Sequence, residues 1–455
     1  ATRQDVSRLF ARAAFGATGQ DLDEWEGQPY ETVVDSLLNI PAIDTRPPAP
    51  DDAERQAQER APGITGLLAE TEPINQAAMW WLERMRTTQY PLEERMTLLW
   101  HDHFATAFRD PVPTAPMMLV QNQTIRRNAL GSFRTMVENL TVDPAMLHWL
   151  NGNENAKGAP NENYARELLE LFTLGVIPQI YSEQDIREAA RALTGWVVSN
   201  TLTGTQGSFN ANRHDTGQKT VLGVAFGNLG AEEHKKVIDI ALAQNTAPKF
   251  IAYKMVVEFA YLPPTGDLFQ DPDPLVDKVA ATLQTTNWNV KEGLRTLLMA
   301  DEFRFADPAA RQQIVRQPID LVASACKQMV VSARSTNVLT QLGRMGQVPF
   351  DPPNVGGWPS SKAWLSPVTM LGRYDWGVTC YNLFASLTSA GRLTTPLPAS
   401  GNLDAWTTRF GLAGLSDNTR TLIQDYLQAR AGAAENEKQA GVLILLASSP
   451  DWMVI

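Results

Sequence analysis

Cysteine and histidine are scarce in this chain of 455 residues, which contains two cysteines and five histidines. It has no Cys-x-x-Cys, with or without a following histidine, so nothing predicts a zinc ribbon or a haem attachment. The sequences Gly-x-Ser-x-Gly, Gly-x-x-x-x-Gly-Lys-Ser/Thr and His-Glu-x-x-His are also missing. These absences disfavour the serine hydrolases, P-loop enzymes and zincin proteases that use those motifs, and we predict no nucleotide and no haem.

Long hydrophobic runs and an excess of basic charge are absent too. The longest apolar run, at 441–447, is far shorter than the roughly 18–20 residues that cross a bilayer, so we predict no membrane span. The chain has 39 lysines and arginines against 50 aspartates and glutamates, a net charge of −11, which disfavours a nucleic-acid partner. With 44% hydrophobic and 20% charged residues, the composition is that of a folded globular protein.

Apolar residues recur with helical spacing through most of the chain, as at Leu92, Met96 and Leu99. We therefore predict a mainly α-helical fold, built as one large irregular domain over 1–455. Segments rich in Pro, Gly, Asn or Asp interrupt this pattern and predict loops. These segments are 41–63, interpreted as an insertion, 151–161, 199–230 and 346–367.

The 199–230 segment contains apolar runs near Phe209 and at 220–222, on either side of a polar tip with Gly217. This pattern predicts a small β-hairpin, the only β element that we expect. Long irregular segments in compact domains are often functional. We therefore expect a functional site in the loops at 151–161, 199–230 and 346–367.

The two cysteines, Cys326 and Cys380, are well separated in the sequence. An oxidising compartment would allow one disulfide between them, whereas two buried free thiols are the alternative. The sequence leaves both possibilities open.

Two of the five histidines stand two residues apart in Trp100-His101-Asp102-His103-Phe104. Residues at this spacing share a face in extended backbone, so the pair can chelate a metal ion there. On a continuing helix, His103 joins the apolar stripe and His101 points about 160° away. Chelation by both therefore requires the helix to end or unwind near Trp100. The alternative is that His103 is a hydrogen-bonded core histidine and His101 an exposed one.

A second polar cluster opens a helix at Asn161, which can cap it. Asn163, Glu167 and Glu170 fall on one side of this helix, and carboxylates that project together suit metal binding or proton transfer. The candidate catalytic residues are Glu162, Arg166, Glu167 and Glu170. The alternative is a solvated polar face on which Arg166 bridges Glu162 and Glu170, each four residues away.

A third constellation is His214-Asp215, at the predicted hairpin tip. A histidine beside a carboxylate serves as a metal ligand, a general base or an oriented acid, although adjacent polar residues are also ordinary in turns.

The segment 351–359 contains three prolines and two adjacent glycines, so it must be a shaped loop rather than a helix or a central strand. Trp358 and the nearby Trp364 could form a platform for sugar rings, or they could anchor the loop to the core through their large apolar area. Together with residues of the other loops, the candidate substrate-binding residues are Asn163, Trp196, Lys219, Asn354, Trp358 and Trp364.

Six ordered segments, spread over nearly the whole chain, resemble a bacterial family known as domain of unknown function 1800. They are Ser7-Arg-Leu-Phe-Ala-Arg-Ala-Ala-Phe-Gly16, Leu99-Trp-His-Asp-His-Phe104, Asn161-Glu-Asn-Tyr-Ala-Arg-Glu-Leu-Leu-Glu-Leu-Phe-Thr-Leu-Gly175, Ala192-Leu-Thr-Gly-Trp196, His214-Asp215 with Lys219-Thr220, and Pro352-Pro-Asn-Val-Gly-Gly-Trp-Pro359 with Trp364. One departure is Asp102, since the family often has Asn between the two histidines.

The resemblance implies an exported protein, secreted or periplasmic, in which Ala1 would follow a cleaved signal peptide. It also implies a possible partner, because members are often encoded near a family that is similar to alkaline phosphatases and sulfatases. The resemblance implies no established activity. We expect the His-x-His segment, the Asn161 helix and the His214-Asp215 loop to meet in space.

Two functions from different classes follow. The first is an exported metal-dependent enzyme, with hydrolysis favoured over redox chemistry, that acts on a polysaccharide or another cell-envelope polymer. A zinc, iron or manganese ion would be held by His101, His103 and His214, with Asp215 or Glu167 completing its ligands. The second is a non-catalytic envelope or surface-assembly protein, in which the same residues form a buried hydrogen-bonded network.

Overall fold

The computed structural model describes seven stretches of the chain: 1–41, 72–177, 179–201, 204–263, 272–305, 314–389 and 395–455. The insertion predicted at 41–63 lies outside them, apart from its first residue. Within these stretches, no helix combines the length and the apolar character that crossing a membrane requires.

Helices make up most of the described residues, which confirms the prediction of a mainly α-helical fold. The first ten are α1 (Arg3–Ala13), α2 (Gly19–Trp25), α3 (Tyr30–Leu38), α4 (Glu72–Thr87), α5 (Pro91–His103), α6 (Ala115–Asn128), α7 (Phe133–Thr141), α8 (Pro144–Trp149), α9 (Asn163–Glu167) and α10 (Glu183–Ala192). A π-helical segment, Leu168–Thr173, continues α9.

Twelve more α-helices follow the strands in the described part of the chain. They are α11 (Glu233–Leu242), α12 (Thr246–Phe259), α13 (Pro274–Thr285), α14 (Val290–Met299), α15 (Asp301–Arg304), α16 (Pro318–Met329), α17 (Thr336–Met345), α18 (Pro367–Ser389), α19 (Leu403–Arg409), α20 (Asp417–Ala429), α21 (Glu435–Ala447) and α22 (Pro450–Met453).

The β structure consists of two antiparallel hairpins rather than the single one predicted. Strand β1 (Trp196–Thr201) pairs with β2 (Gly204–Phe209), and β3 (Lys219–Val221) pairs with β4 (Val224–Phe226). The run at Phe209 therefore pairs with Trp196 instead of with 220–222. The reason for the second hairpin is its tight turn at Leu222 and Gly223, which both have positive φ, as two-residue hairpin turns require.

Two clusters of buried apolar side chains form the core. The first joins α1–α3 to most of the helices up to α15, and the second joins α4 to α16–α22. Helix α5 contributes to both clusters, with Met96 and Trp100 in the first and Leu98 in the second. It therefore runs along the boundary between them.

Helix α5 is buried on nearly all sides even though it carries several charges. Its Glu94 is fully buried and accepts hydrogen bonds from Trp81 Nε1 and from the guanidinium groups of Arg84 and Arg126. Burial alone would raise the pKa of Glu94, but Arg126 and Arg84 lower it to about 2. Charged residues on this helix are therefore held in place by specific partners.

Candidate functional site

A charged cavity lies where α5, α12 and α16 meet the loop that connects α17 to α18. We call residues 346–366 the proline-tryptophan loop. The cavity has a volume of about 40 Å³, and it lies at the boundary between the two core clusters. Its polar lining residues are Arg95, Asp102, Glu258, Arg316, Gln317, Asp320, Ser360 and Ser361.

Arg95 of α5 connects the two helices that face it across the cavity. Its Nη2 lies 2.9 Å from Oε1 of Glu258 on α12, and its Nη1 lies 3.3 Å from Oδ2 of Asp320 on α16. The guanidinium group also faces the rings of Phe15 and Phe259. The guanidinium group of Arg95 is buried, and its planar set of N–H donors holds both carboxyl groups close to it.

Asp320 is fully buried and has a second arginine partner in Arg316, four residues earlier. Arg316 Nη1 lies 3.3 Å from Oδ1 of Asp320 and donates to the hydroxyl of Ser324, which in turn donates to Asp320. Its Nε donates to the carbonyl oxygen of Trp452, which ties the site to α22. These bonds fix one wall of the cavity.

Glu258 is the first of two carboxyl groups in the cavity with a raised pKa. It accepts a hydrogen bond of 2.9 Å from Gln317 Nε2, and Gln317 is fixed by a hydrogen bond of 2.6 Å from Gln347. Burial raises the pKa of Glu258 to about 7, with a smaller contribution from the like charges of Asp102 and Asp320. At neutral pH this carboxyl group therefore can both hold and release a proton.

Asp102 is the second titratable carboxyl group of the cavity. Burial raises its pKa to about 6, against the opposing effects of a hydrogen bond from the Trp358 backbone N–H and of the Lys254 ammonium group. Asp102 and Glu258 thus line one cavity, and both have pKa values near neutral pH, where acid–base catalysts work best.

The proline-tryptophan loop has four residues in the left-handed region of backbone conformation: Gly346, Phe350, Gly357 and Ser361, with φ of 84°, 68°, 85° and 48°. Such residues are uncommon outside glycine and often occur at functional sites. A Cβ at Gly357 would meet Oδ1 of Asp102 and would lie 2.6 Å from its carbonyl oxygen. Glycine is therefore required for the loop to approach Asp102.

The two tryptophans of this loop are buried, with exposed fractions of 6% for Trp358 and 3% for Trp364. They pack with Val315 in a small cluster of their own. Trp364 lines the charged cavity, whereas the Trp358 ring lies against His101. Both rings are packed inside the protein, and a role for them in sugar binding stays a prediction. Asn354 accepts a hydrogen bond from Gly356 N and shapes the turn.

His101 and His103 lie in different surroundings, because α5 continues as a helix through His103. The His101 ring packs against Trp81, Phe350 and Trp358 at 5.3–5.6 Å between ring centroids. His103 donates a hydrogen bond of 3.0 Å to the carbonyl oxygen of Phe172. The condition for chelation by the pair, an end to the helix near Trp100, is not met.

Burial is the main cause that lowers the pKa of both histidines to about 3. Neither imidazole is therefore charged at neutral pH. The alternative to metal binding is a hydrogen-bonded His103 in the core and an exposed His101. His103 does lie in the core with a hydrogen bond, but His101 is buried.

His214 and Lys219 belong to a separate buried network. His214 Nε2 lies 3.1 Å from Oε1 of Glu233, and its Nδ1 donates to the carbonyl oxygen of Thr194. Lys219 Nζ lies 2.8 Å from Oε2 of Glu233, and both side chains have no exposed area. Asp215 pairs instead with Arg191, at 2.9 Å. These residues fasten the second hairpin to α10 and α11.

The Asn161 segment carries a partly exposed ion network. Arg166 lies 3.4 Å from Glu162, 3.5 Å from Glu170 and 2.7 Å from Glu183. The contacts with Glu162 and Glu170, each four residues from Arg166, are those expected if this segment is a solvated polar face. Glu167 is half-buried, and burial followed by the charge of Glu170 raises its pKa.

The remaining sequence-predicted residues lie in loop contacts. Asn163 donates to Oδ1 of Asn151, and Trp196 packs edge-on against Phe209 and His234. The three predicted segments approach one another through the bond from His103 to Phe172 and through backbone hydrogen bonds that join 151–161 to Gly195 and Arg213. His103, His214 and Asp215 have polar partners of their own. In the stretches that the structure describes, neither ring nitrogen of His101 has a hydrogen-bond partner.

Among the described residues, no group of three or more His, Cys, Asp or Glu side chains is placed to hold a metal ion. Trp364 is the sequence-predicted site residue that lines the charged cavity, and five of the cavity's polar lining residues were not predicted from the sequence: Arg95, Glu258, Arg316, Gln317 and Asp320. A signal for some of them was present, because Arg316, just before α16, and Asp320, in its first turn, are opposite charges four residues apart.

A comparison with protein families found one match, to the family described as "Protein of unknown function (DUF1800)", over residues 8–454. This confirms the resemblance predicted from the six ordered segments. A search of curated proteins and a search of solved structures found no match.

Proposed function

We propose that this chain, which belongs to the DUF1800 family, is an exported hydrolase that acts on a polysaccharide or another cell-envelope polymer at the charged cavity. The observation that supports this proposal is the presence of two carboxyl groups, Asp102 and Glu258, with raised pKa values in one cavity. Two such groups are the minimum that general acid–base hydrolysis needs.

In this mechanism, Glu258 donates its proton to the oxygen of the leaving group as the bond to the polymer breaks. Asp102, as a carboxylate, accepts a proton from the attacking water, whose oxygen forms the new bond. The difference between pKa values of about 7 and about 6 favours this assignment of roles. Arg95, which contacts Glu258, stabilises negative charge that develops nearby.

The prediction of a divalent ion at His101, His103, His214 and Asp215 stays a prediction. It would require His103, His214 and Asp215 to give up the partners described above, and for that reason we assign the proton transfers to the carboxyl groups of the cavity. A partner that resembles an alkaline phosphatase or sulfatase also stays a prediction.

The experiment is an assay of reducing ends released from cell-envelope polysaccharides by the full chain near pH 6.5. We expect Glu258→Gln and Asp102→Asn each to reduce the rate by about 100- to 10,000-fold, the usual range for a lost acid or base. The matched control is Glu437→Gln, which makes the same change in an exposed ion pair with Arg430. Equal rates in Glu258→Gln and the control would refute the proposal.

A non-catalytic envelope or surface-assembly protein is the second candidate function. It is favoured by a concentration of exposed apolar side chains at the start of α18 and just before it. Leu365, Val368, Leu371 and Tyr374 are 44%, 72%, 63% and 52% exposed. Exposed apolar groups concentrated in this way commonly mark an interaction surface. In this case Val368→Asp with Leu371→Asp would abolish assembly, whereas Glu258→Gln would leave it intact.

A further inference from the structure

Two side chains in the walls of the charged cavity have donors that are left unused. Within the described stretches, Arg95 Nε and Ser361 Oγ have no hydrogen-bond partner, and Arg95 Nη1 has only its ion-pair contact of 3.3 Å with Asp320. Both residues line the cavity, and they are only 1% and 6% exposed. Buried donors in proteins are nearly always paired with protein atoms, water or a bound group. These two side chains therefore mark a position where acceptor atoms of a ligand are expected.

A third unused donor group lies directly behind Arg316. Arg373 is fully buried, and its Nη2 donates a hydrogen bond of 2.7 Å to the carbonyl oxygen of Arg316. In the part of the chain that the structure describes, its Nε and Nη1 have no acceptor. Its charge is therefore only partly compensated, and it adds to the positive potential of this wall.

Two arginines, Arg95 and Arg316, and three carboxyl groups line the cavity itself. Two further cations lie next to these residues but outside the lining: Arg373 contacts Arg316, and the Lys254 charge acts on Asp102. Asp320 is already shared by Arg95 and Arg316. Protonation of Glu258 removes one more negative charge without changing the number of cations. When Glu258 is protonated, the two arginines and the two neighbouring cations exceed the remaining carboxylates, and the unused donors favour a ligand with acceptor oxygens.

The size of the cavity limits what part of a ligand can enter it. The volume of about 40 Å³ is a few times the roughly 10–15 Å³ that a single water needs by the same measure. A group of a few oxygen atoms around one centre fits, whereas a sugar ring does not. Pro359 and Ser360, which are exposed and also line the cavity, place its opening at the surface.

We infer that the charged cavity binds an oxyanion group of the substrate, a carboxylate, phosphate or sulfate, through Arg95 and Ser361. The inference rests on the proposed function and specifies its substrate class, which is an anionic polymer. A guanidinium group offers several N–H donors in fixed directions, and the Ser361 hydroxyl adds one more. The polymer itself lies outside, along the exposed rim, with its reacting bond close to Glu258.

The test is calorimetric titration of the full chain with inorganic phosphate, sulfate and acetate at low ionic strength, with glycerol as an uncharged probe. We expect saturable binding of at least one anion at one site per chain, and none of glycerol. The anion that binds most tightly identifies the group, because acetate represents a carboxylated polymer and the other two represent phosphorylated and sulfated polymers. The absence of saturable binding for all three anions would overturn the inference.

Variants locate the binding in the cavity. We expect Ser361→Ala to weaken binding by about 5- to 10-fold, as for the loss of one hydrogen bond, while Ser36→Ala, which removes a hydroxyl on α3, leaves it unchanged. Ser361→Asp should abolish binding through like-charge repulsion, and aspartate tolerates the left-handed backbone of this position. Identical affinities in Ser361→Ala and Ser36→Ala would place the anion elsewhere and overturn the inference.

Glu258→Gln separates this inference from the proposed function. It removes a negative charge from the cavity, so we expect anion binding to become several-fold tighter while hydrolysis is lost. Tighter binding with unchanged hydrolysis would refute the catalytic role of Glu258 and leave the oxyanion site standing. If Glu258→Gln loses hydrolysis and the native chain binds no anion, the catalytic role of Glu258 stands and the oxyanion site is refuted.

Discussion

The backbone N–H of Trp358 donates a hydrogen bond of 2.6 Å to Oδ1 of Asp102. This contact joins the proline-tryptophan loop to α5 across 256 residues of sequence, and it fixes one oxygen of a carboxyl group that lines the charged cavity. The neighbouring Gly357 makes the contact possible, because its missing side chain leaves room for Asp102. The loop and the candidate base therefore depend on each other for their positions.

Replacement of Gly357 by alanine tests this dependence. The new Cβ would collide with Asp102, and its backbone has a φ of 85°, which is unfavourable for alanine. We expect the free energy of unfolding to fall by about 2 kcal/mol or more, with loss of activity at the cavity. Urea unfolding measures the first effect. Gly401→Ala is the control, since a Cβ at Gly401 meets nothing within 4 Å, and an equal loss in both variants would contradict the prediction.

The dependence of hydrolysis on pH tests the roles of Asp102 and Glu258. Activity requires Asp102 deprotonated and Glu258 protonated, so we expect a maximum between about pH 6 and about pH 7, with a fall on each side. Asp102→Asn should leave only a weak residual rate, and this rate should no longer fall as the pH is lowered below about 6. A rate that rises steadily from pH 5 to pH 9 would exclude this pair as the base and acid.

Sequence patterns predicted the helical fold because the periodic spacing of apolar residues reports which face of a helix is buried. The same reasoning placed His103 on the buried stripe of α5, where the structure has it. It could not find the second hairpin, because a two-residue turn at Leu222 and Gly223 gives little composition signal. The spacing of apolar residues shows which face of one helix is buried, but it says nothing about segments farther along the chain.

The charged cavity escaped prediction for a related reason. Arg95, Glu258 and Asp320 come from helices that are more than 60 residues apart in the sequence, and a single sequence does not show which helices pack together. By contrast, the motifs at His101-Asp102-His103, 351–359 and Trp364 did point to the segments that border the cavity. The side chain of the first motif that lines the cavity is Asp102 rather than either histidine.

Asp143 gives a prediction about stability that is independent of the cavity. It caps α8, accepting hydrogen bonds from Met146 N and Gln121 Nε2, and its burial raises its pKa from 3.8 to about 7. Because the folded state then binds the proton more tightly than the unfolded state, this residue favours folding at low pH, and that contribution is lost as the pH rises from about 4 to about 7.

Asp143→Asn keeps the acceptor oxygen but cannot ionise. We expect the variant to be more stable than the native chain at pH 8, by on the order of 3 kcal/mol, and to lose this advantage near pH 4. Unfolding curves at several pH values measure the difference. Exposed Asp425→Asn is the control, and a difference that does not change with pH would contradict the assignment.

The two histidines of α5 give a prediction that separates metal binding from packing. Elemental analysis of protein purified without chelator or affinity metal, compared with the double variant His101→Ala and His103→Ala, tests for an ion. From their contacts, we expect the same metal content in both proteins and a loss of about 2–5 kcal/mol in unfolding free energy from each substitution. Stoichiometric zinc, iron or manganese that disappears in a folded variant would instead support the metal-dependent hypothesis.

Lys219 distinguishes a substrate-binding residue from a structural one. Its ammonium group and Glu233 form an ion pair without exposed area, so Lys219→Met would leave the Glu233 carboxylate buried beside His214 without its main cation. We expect a loss of about 3–5 kcal/mol in unfolding free energy, because an uncompensated buried charge is costly. The exposed Lys235→Met, which breaks a surface pair with Glu232, should change stability little.

A second variant shows whether the loss comes from the stranded charge. Lys219→Met combined with Glu233→Gln removes both charges, and the oxygen of the remaining amide still accepts the hydrogen bond from Leu229 N. The double variant should therefore be more stable than Lys219→Met alone, since neutral partners of similar size replace a buried ion pair at small cost. If Lys219 instead bound the substrate, Lys219→Met would unfold like the native chain and raise only the KM for the polymer.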